Sequence, residues 1–171
     1  MRIFDLYQFQ ANATELISGN MGDQELFSIQ NIVVVAFTGL IVVSCVLLHY
    51  EAFSLLTRIM GRLHIRIRRR RILLLIMGLL VLHITEVWLF GIGYFLLLQY
   101  PSMGQISGSA GGLLDLVYFS AVVFTTLGLG DLIPTGAIRL LTGMEALTGF
   151  VLITWSASFT FLEMQRFWKN D

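Results

Sequence analysis

Long uncharged apolar runs alternate with short polar segments along this chain, and the runs are too continuous for the alternation of half-buried strands. Residues 31–50 (NIVVVAFTGLIVVSCVLLHY) hold no acid, lysine or arginine and suffice to cross a hydrocarbon layer of about 30 Å as a helix. Residues 72–100 (ILLLIMGLLVLHITEVWLFGIGYFLLLQY) exceed what a bilayer needs, so this second helix is expected to tilt or protrude. A third run covers residues 138–163. Between the second and third lie a glycine/serine loop, PSMGQISGSAGG, and a short apolar piece, LLDLVYFSAVVF at 113–124. That piece is too short to span and suits a re-entrant helix. The first 30 residues are mixed and acidic; Ile3, Phe4, Leu6, Tyr7 and Phe9 suit either a short interfacial helix or a loosely ordered tail.

Composition agrees with the pattern. Hydrophobic residues make up 56% of 171, above the range of ordinary soluble domains. Eleven basic and 11 acidic residues cancel, which gives no reason to expect a nucleic-acid partner. The single cysteine, Cys45, lies inside an apolar run, so neither a disulfide framework nor a cysteine-rich metal site is expected. The charges are segregated. Arg58, Arg62, Arg66, Arg68, Arg69, Arg70 and Arg71 all fall between the first two spans. The positive-inside rule puts that loop in the cytoplasm, with the N-terminus outside and the C-terminus inside, as expected for a multi-pass protein of the plasma membrane. Arg58, Arg62, Arg66 and Arg70 recur every fourth residue, compatible with an amphipathic helix on anionic lipid or with a plain topogenic loop. They lie outside a span, which argues against a voltage sensor.

The heptapeptide TTLGLGD, residues 125–131, carries the chemistry. It is not a dinucleotide fingerprint, because the third glycine and the preceding strand are missing. GLGD also looks like the signature of intramembrane aspartyl proteases. That reaction needs a second, facing aspartate from another span, and Asp5, Asp23, Asp115 and Asp171 all lie outside the full spans. The remaining reading is an ion filter. A dehydrated K⁺ needs a cage of oxygens in place of its water. Backbone carbonyls can line one axis if the chain alternates into left-handed conformations, which Gly128 and Gly130 adopt without steric cost.

TTLGLGD resembles the T-T-V-G-Y-G-D signature of the potassium-channel pore-loop superfamily, and DLVYFSAVVFTTLGLGDLIPTG resembles its pore helix, filter and following segment. EALTG, residues 145–149, is similar to the start of the inner helix with its hinge glycine. The resemblance covers about residues 113–161 and is closest to bacterial channels with a single pore loop, with a filter similar to that of tandem-pore channels. It implies a homotetramer in which Thr126, Leu127, Gly128, Leu129 and Gly130 coordinate K⁺, supported by Thr125, Asp131, Tyr118, Phe119 and Val122, with Gly149 as gating hinge or as a small residue for close helix packing. No cofactor beyond the transported K⁺ and no enzymatic activity are expected. Leu129 stands where the family has tyrosine; lacking a hydroxyl it can only pack, against Tyr118 or Phe119, so a weakly selective monovalent cation channel is the alternative to a K⁺-selective one. Val122 stands where some members have a glutamate that pairs with the filter aspartate.

The resulting division is an extracytoplasmic tail (1–30), a first transmembrane helix with basic cytoplasmic loop (31–71), a pore domain (72–165) and a short cytoplasmic tail (166–171). The fold class is all-α: three transmembrane helices with a re-entrant pore helix and filter. His83 and Glu86 lie one turn apart in the second span, as a proton-sensing pair or a packing device; Glu145 in the third carries the same two alternatives.

Overall fold

The computed structural model describes residues 29–62, 68–108 and 112–168. The expected N-terminal helix, Arg66 and the tail beyond Trp168 lie outside them. The order is helix α1 (Ile29–Arg62), helix α2 (Arg68–Leu97), a 3₁₀ turn (Pro101–Met103), strand β1 (Gln105–Ser107), helix α3 (Leu113–Phe124), strand β2 (Ile133–Thr135) and helix α4 (Arg139–Trp168). Three helices are long and apolar enough to cross a membrane, and α3 is the short apolar fourth. The protein is an all-α membrane protein.

α1 has no polar face to stop it, and its 34 residues run about 51 Å at 1.5 Å per residue. The helix thus continues well past residue 50, and Arg58 and Arg62 extend α1 instead of starting a loop. Arg70 belongs to α2, and Arg71 donates to the Met60 carbonyl at 2.6 Å, so the chain has doubled back between them. Arg58 and Arg62 on α1 and Arg70 on α2 therefore belong to two separate helices instead of one amphipathic helix, and Arg66 lies outside the described residues. α2 ends just before Pro101, which cannot continue it. α3 starts at Gly112 and carries Asp115 in its first turn, where a negative charge suits the exposed N–H groups.

α3 sits in a notch between α2 and α4. A side chain on Gly91 of α2 would come within 2.8 Å of Val117, and one on Gly149 of α4 would strike the Phe124 carbonyl. Around these contacts Phe90, Tyr94, Leu116, Phe119, Phe124, Leu141 and Leu152 form the main buried cluster, joined by Val34, Ile41 and Cys45 of α1. A second cluster joins Phe53 of α1 to Leu75, Leu79 and Leu82 of α2, with Phe159 of α4 against it. Outward residues such as Leu40, Leu47, Leu73, Val81 and Phe150 are exposed, as lipid-facing positions are in an isolated chain.

β1 and β2 pair antiparallel, Ile106 opposite Pro134, and so tie the segment before α3 to the segment after TTLGLGD. Gly104, at φ 129°, packs so close to the Thr135 carbonyl that no Cβ would fit. Ile138 N–H donates to the Met103 carbonyl at 3.0 Å. This clasp fixes both ends of the loop that holds the site.

Candidate functional site

α3 ends at Thr125, whose N–H and hydroxyl both reach the Ala121 carbonyl, at 3.2 and 2.7 Å. The next three N–H groups fold back onto the same helix end: Thr126 to Val123 O at 2.8 Å, Leu127 and Gly128 to Val122 O at 3.0 and 3.3 Å. Val122 thus meets the loop through its carbonyl, while its side chain is buried. Beyond this anchor the chain is irregular. Thr126, Gly128 and Gly130 have φ of 58°, 58° and 79°. This alternation lets successive carbonyls face one side, where a β-strand would turn them to opposite sides. Two of the three positions are glycines, and Thr126 is the one non-glycine residue with positive φ among the described residues. Residues 125–131 are all exposed in the single chain.

Asp131 accepts a hydrogen bond from the Tyr118 hydroxyl at 2.8 Å, bridging the outer end of the loop to α3. That bond holds the Tyr118 phenol above its ordinary pKa, because donating to a carboxylate favours the protonated form. Phe119 is buried, edge-on to Tyr94 at 5.1 Å. Leu129 is 58% exposed in the single chain; of its expected packing partners, Tyr118 is half-exposed and Phe119 buried.

Behind the loop lies a polar knot. Glu145 of α4 is fully buried; one oxygen takes the Tyr94 hydroxyl of α2 and the other meets the Ser120 hydroxyl of α3, each at 2.5 Å. Ser120 also lies 2.8 Å from the Val87 carbonyl, and Tyr94 3.2 Å from the Thr142 hydroxyl. Three helices are thereby joined at the middle of α3. Gly149 lies one turn further along α4, against Phe124. Thr154 and Ser158 are exposed on α4 and bond back to Phe150 O and Thr154 O, both at 2.9 Å.

His83 and Glu86 are joined, Nδ1 to Oε2 at 2.8 Å, but the pair is part of a larger group. His49 of α1 contacts the other Glu86 oxygen through its Nδ1 at 2.7 Å, and both residues are fully buried. Sequence reasoning missed His49, which lies 37 residues from its partner on an element outside the family resemblance. The available signal was that it is an ionisable residue within an otherwise apolar run.

A sequence model described as an ion channel family matches residues 72–166, more than half of the chain. The chain belongs to this ion-channel family. It is a member of the potassium-channel pore-loop superfamily. The match runs from α2 into the end of α4 and leaves α1 outside. Comparisons with curated proteins and with solved structures give no significant match.

Proposed function

We propose that this ion channel conducts K⁺ selectively, as a homotetramer, through a filter built from the backbone carbonyls of Thr126, Leu127, Gly128, Leu129 and Gly130. The observation that carries the reading is the exposed, irregular backbone of residues 125–131, with its alternating left-handed residues, at the end of a helix buried among membrane spans. Unpaired backbone at membrane depth is tolerated only where it is covered by protein or lines water. One chain supplies neither cover nor a closed ring. Further copies around a shared axis supply both, and the family's signature supports four.

In this arrangement α2 is the outer helix, α4 the inner one, and the C-terminal end of α3 points its partial negative charge at the cation path. Tyr118–Asp131 and Glu145–Ser120–Tyr94 act as struts on the two sides of each filter strand, and Thr125 and the Val122 carbonyl fix its inner end. Gly149, where α4 meets α3, is the candidate hinge. The arginine-rich turn lies on the cytoplasmic side of a plasma membrane, facing anionic headgroups, and the N-terminus is outside.

A second reading has a specific observation behind it. Leu129 offers no hydroxyl to bond to α3, and its side chain is exposed, so the filter's width is held by fewer bonds than in the tyrosine-bearing signature. That favours a weakly selective monovalent cation channel. Reversal potentials of the purified protein in planar bilayers, under opposed K⁺ and Na⁺ gradients, separate the two. A value approaching the K⁺ equilibrium potential is expected; a value near zero with robust current would establish the weakly selective channel instead.

A further inference from the structure

His49, His83 and Glu86 lie outside the loop 125–131, and α1, which brings His49, lies outside the family match. We propose that these three residues form a binding site for a divalent transition metal of the zinc class, which clamps the first membrane helix to the channel domain.

The donor set is the first argument. Two imidazoles and a carboxylate are a zinc set, and three protein ligands leave a position open for a further one. Their ligand atoms already lie within 4.8 Å of one another. Zinc holds such atoms at about 2.0–2.2 Å, so the 2.7 and 2.8 Å contacts to Glu86 need only open by roughly half an ångström to admit the ion between them.

Charge is the second argument. Glu86 is fully buried in a span, and its two carboxylate oxygens face the imidazoles of His49 and His83. An ionisable side chain at membrane depth is expensive unless it is paired with a charge or coordinates a metal. A dication held by the same three groups meets that need.

The third argument is how the ligands are held and reached. His49 packs against Phe53 and Trp155, ring centroids 4.5 and 5.2 Å away, and those two rings also meet each other at 5.2 Å, so an aromatic cluster holds the imidazole. Coordination through Nδ1 requires the imidazole proton on Nε2. There His49 faces the Ser156 hydroxyl of α4 at 3.5 Å, an oxygen able to accept that proton. His83 is partly exposed and borders a cavity of about 530 Å³ shared with Leu80, Val87, Val117 and Phe124, which gives room for a water as fourth ligand. His83 also lies 6.0 Å from the Phe124 ring, at the foot of the loop, so occupancy of the site is felt where α3 ends.

The test uses the untagged full chain in lipid nanodiscs, stripped with chelator and then dialysed against Zn²⁺, with elemental analysis of the product. One zinc per chain is expected in the native protein and at least a tenfold weaker affinity in His83→Ala, a partly exposed site whose truncation spares the core. Co²⁺ as a spectroscopic probe should give the intense visible bands of a tetrahedral site, lost in His83→Ala and in the size-matched His83→Asn. Zn²⁺ should also raise the melting temperature of the native protein and leave both variants unmoved. Zinc content in the native protein no higher than in the variants, or the absence of a Zn²⁺-dependent melting shift, would overturn the site and leave the three residues a hydrogen-bonded packing device. None of these measurements depends on whether the protein conducts.

Discussion

Gly128 and Gly149 are glycine for different physical reasons. At Gly128 the space for a Cβ is open within one chain, and the constraint is the backbone, φ 58°, which costs an L-residue about 1–2 kcal/mol. At Gly149 the backbone is ordinary helix, and the constraint is the Phe124 carbonyl directly opposite. Gly149→Ala must therefore push α4 off α3, and we expect a loss of about 1–3 kcal/mol, typical of overpacking. Thermal melts of the purified variant check this, with Gly39→Ala as control. Gly39 meets nothing within 4 Å, and a helical Ala there should be neutral or stabilising. Equal melting of both variants would remove the close-approach role of Gly149. Asp131 lends itself to a different test. Its carboxylate braces Tyr118 from outside the carbonyl path, so Asp131→Asn keeps an acceptor for the phenol and should still conduct in a flux assay. An aspartyl protease would lose its activity entirely with the same change.

Among the elements, α3 is fixed by polar contacts as much as by packing. Glu145 accepts from Tyr94 and meets Ser120, while the single Ser120 proton is also within reach of the Val87 carbonyl. Glu145→Gln keeps both links: its carbonyl accepts from Tyr94 and its amide donates to Ser120, freeing the Ser120 proton for Val87. Glu145→Ala removes the buried group that ties α4 to both hydroxyls, leaving Ser120 to the Val87 carbonyl and Tyr94 to Thr142, at a cost of about 1–3 kcal/mol. We expect the glutamine variant to melt within a few degrees of the native protein and to conduct, and the alanine variant to lose stability and K⁺ flux together. A glutamine variant as damaged as the alanine one would mean that the charge of Glu145, rather than its bonds, is what α3 requires. The spans themselves were legible in the sequence because a membrane helix announces itself by uninterrupted apolarity, and TTLGLGD because left-handed backbone demands glycine. The length of α1 was not, because Glu51 and Arg58 interrupt the apolar run by which the span was recognised, although Phe53 beyond Glu51 still packs on α2. The β1–β2 clasp was invisible because three-residue strands take their stability from pairing across the 25 residues between them, which no local pattern encodes. His49 escaped for the same reason: only the packing of α1 on α2 brings it to Glu86.

At the scale of the whole molecule, an incomplete pore wall predicts how chains count. Under the proposed function each copy brings one filter strand, so one chain carrying a blocked strand, such as Gly128→Glu, is enough to spoil a ring. The substituted carboxylate sits at an exposed position of the loop, away from the buried clusters, so the variant should fold and assemble with native chains. In an equal mixture, the share of rings made only of native chains is one half raised to the number of copies. A tetramer leaves about one-sixteenth of the current, a dimer about one-quarter, and independent chains about half. Co-expression at matched levels, with co-purification of differently tagged chains to establish mixing, reads the number directly. Residual current near one-half with mixing demonstrated would mean that each chain conducts alone, and the exposed backbone of residues 125–131 would then need cover from something other than further copies.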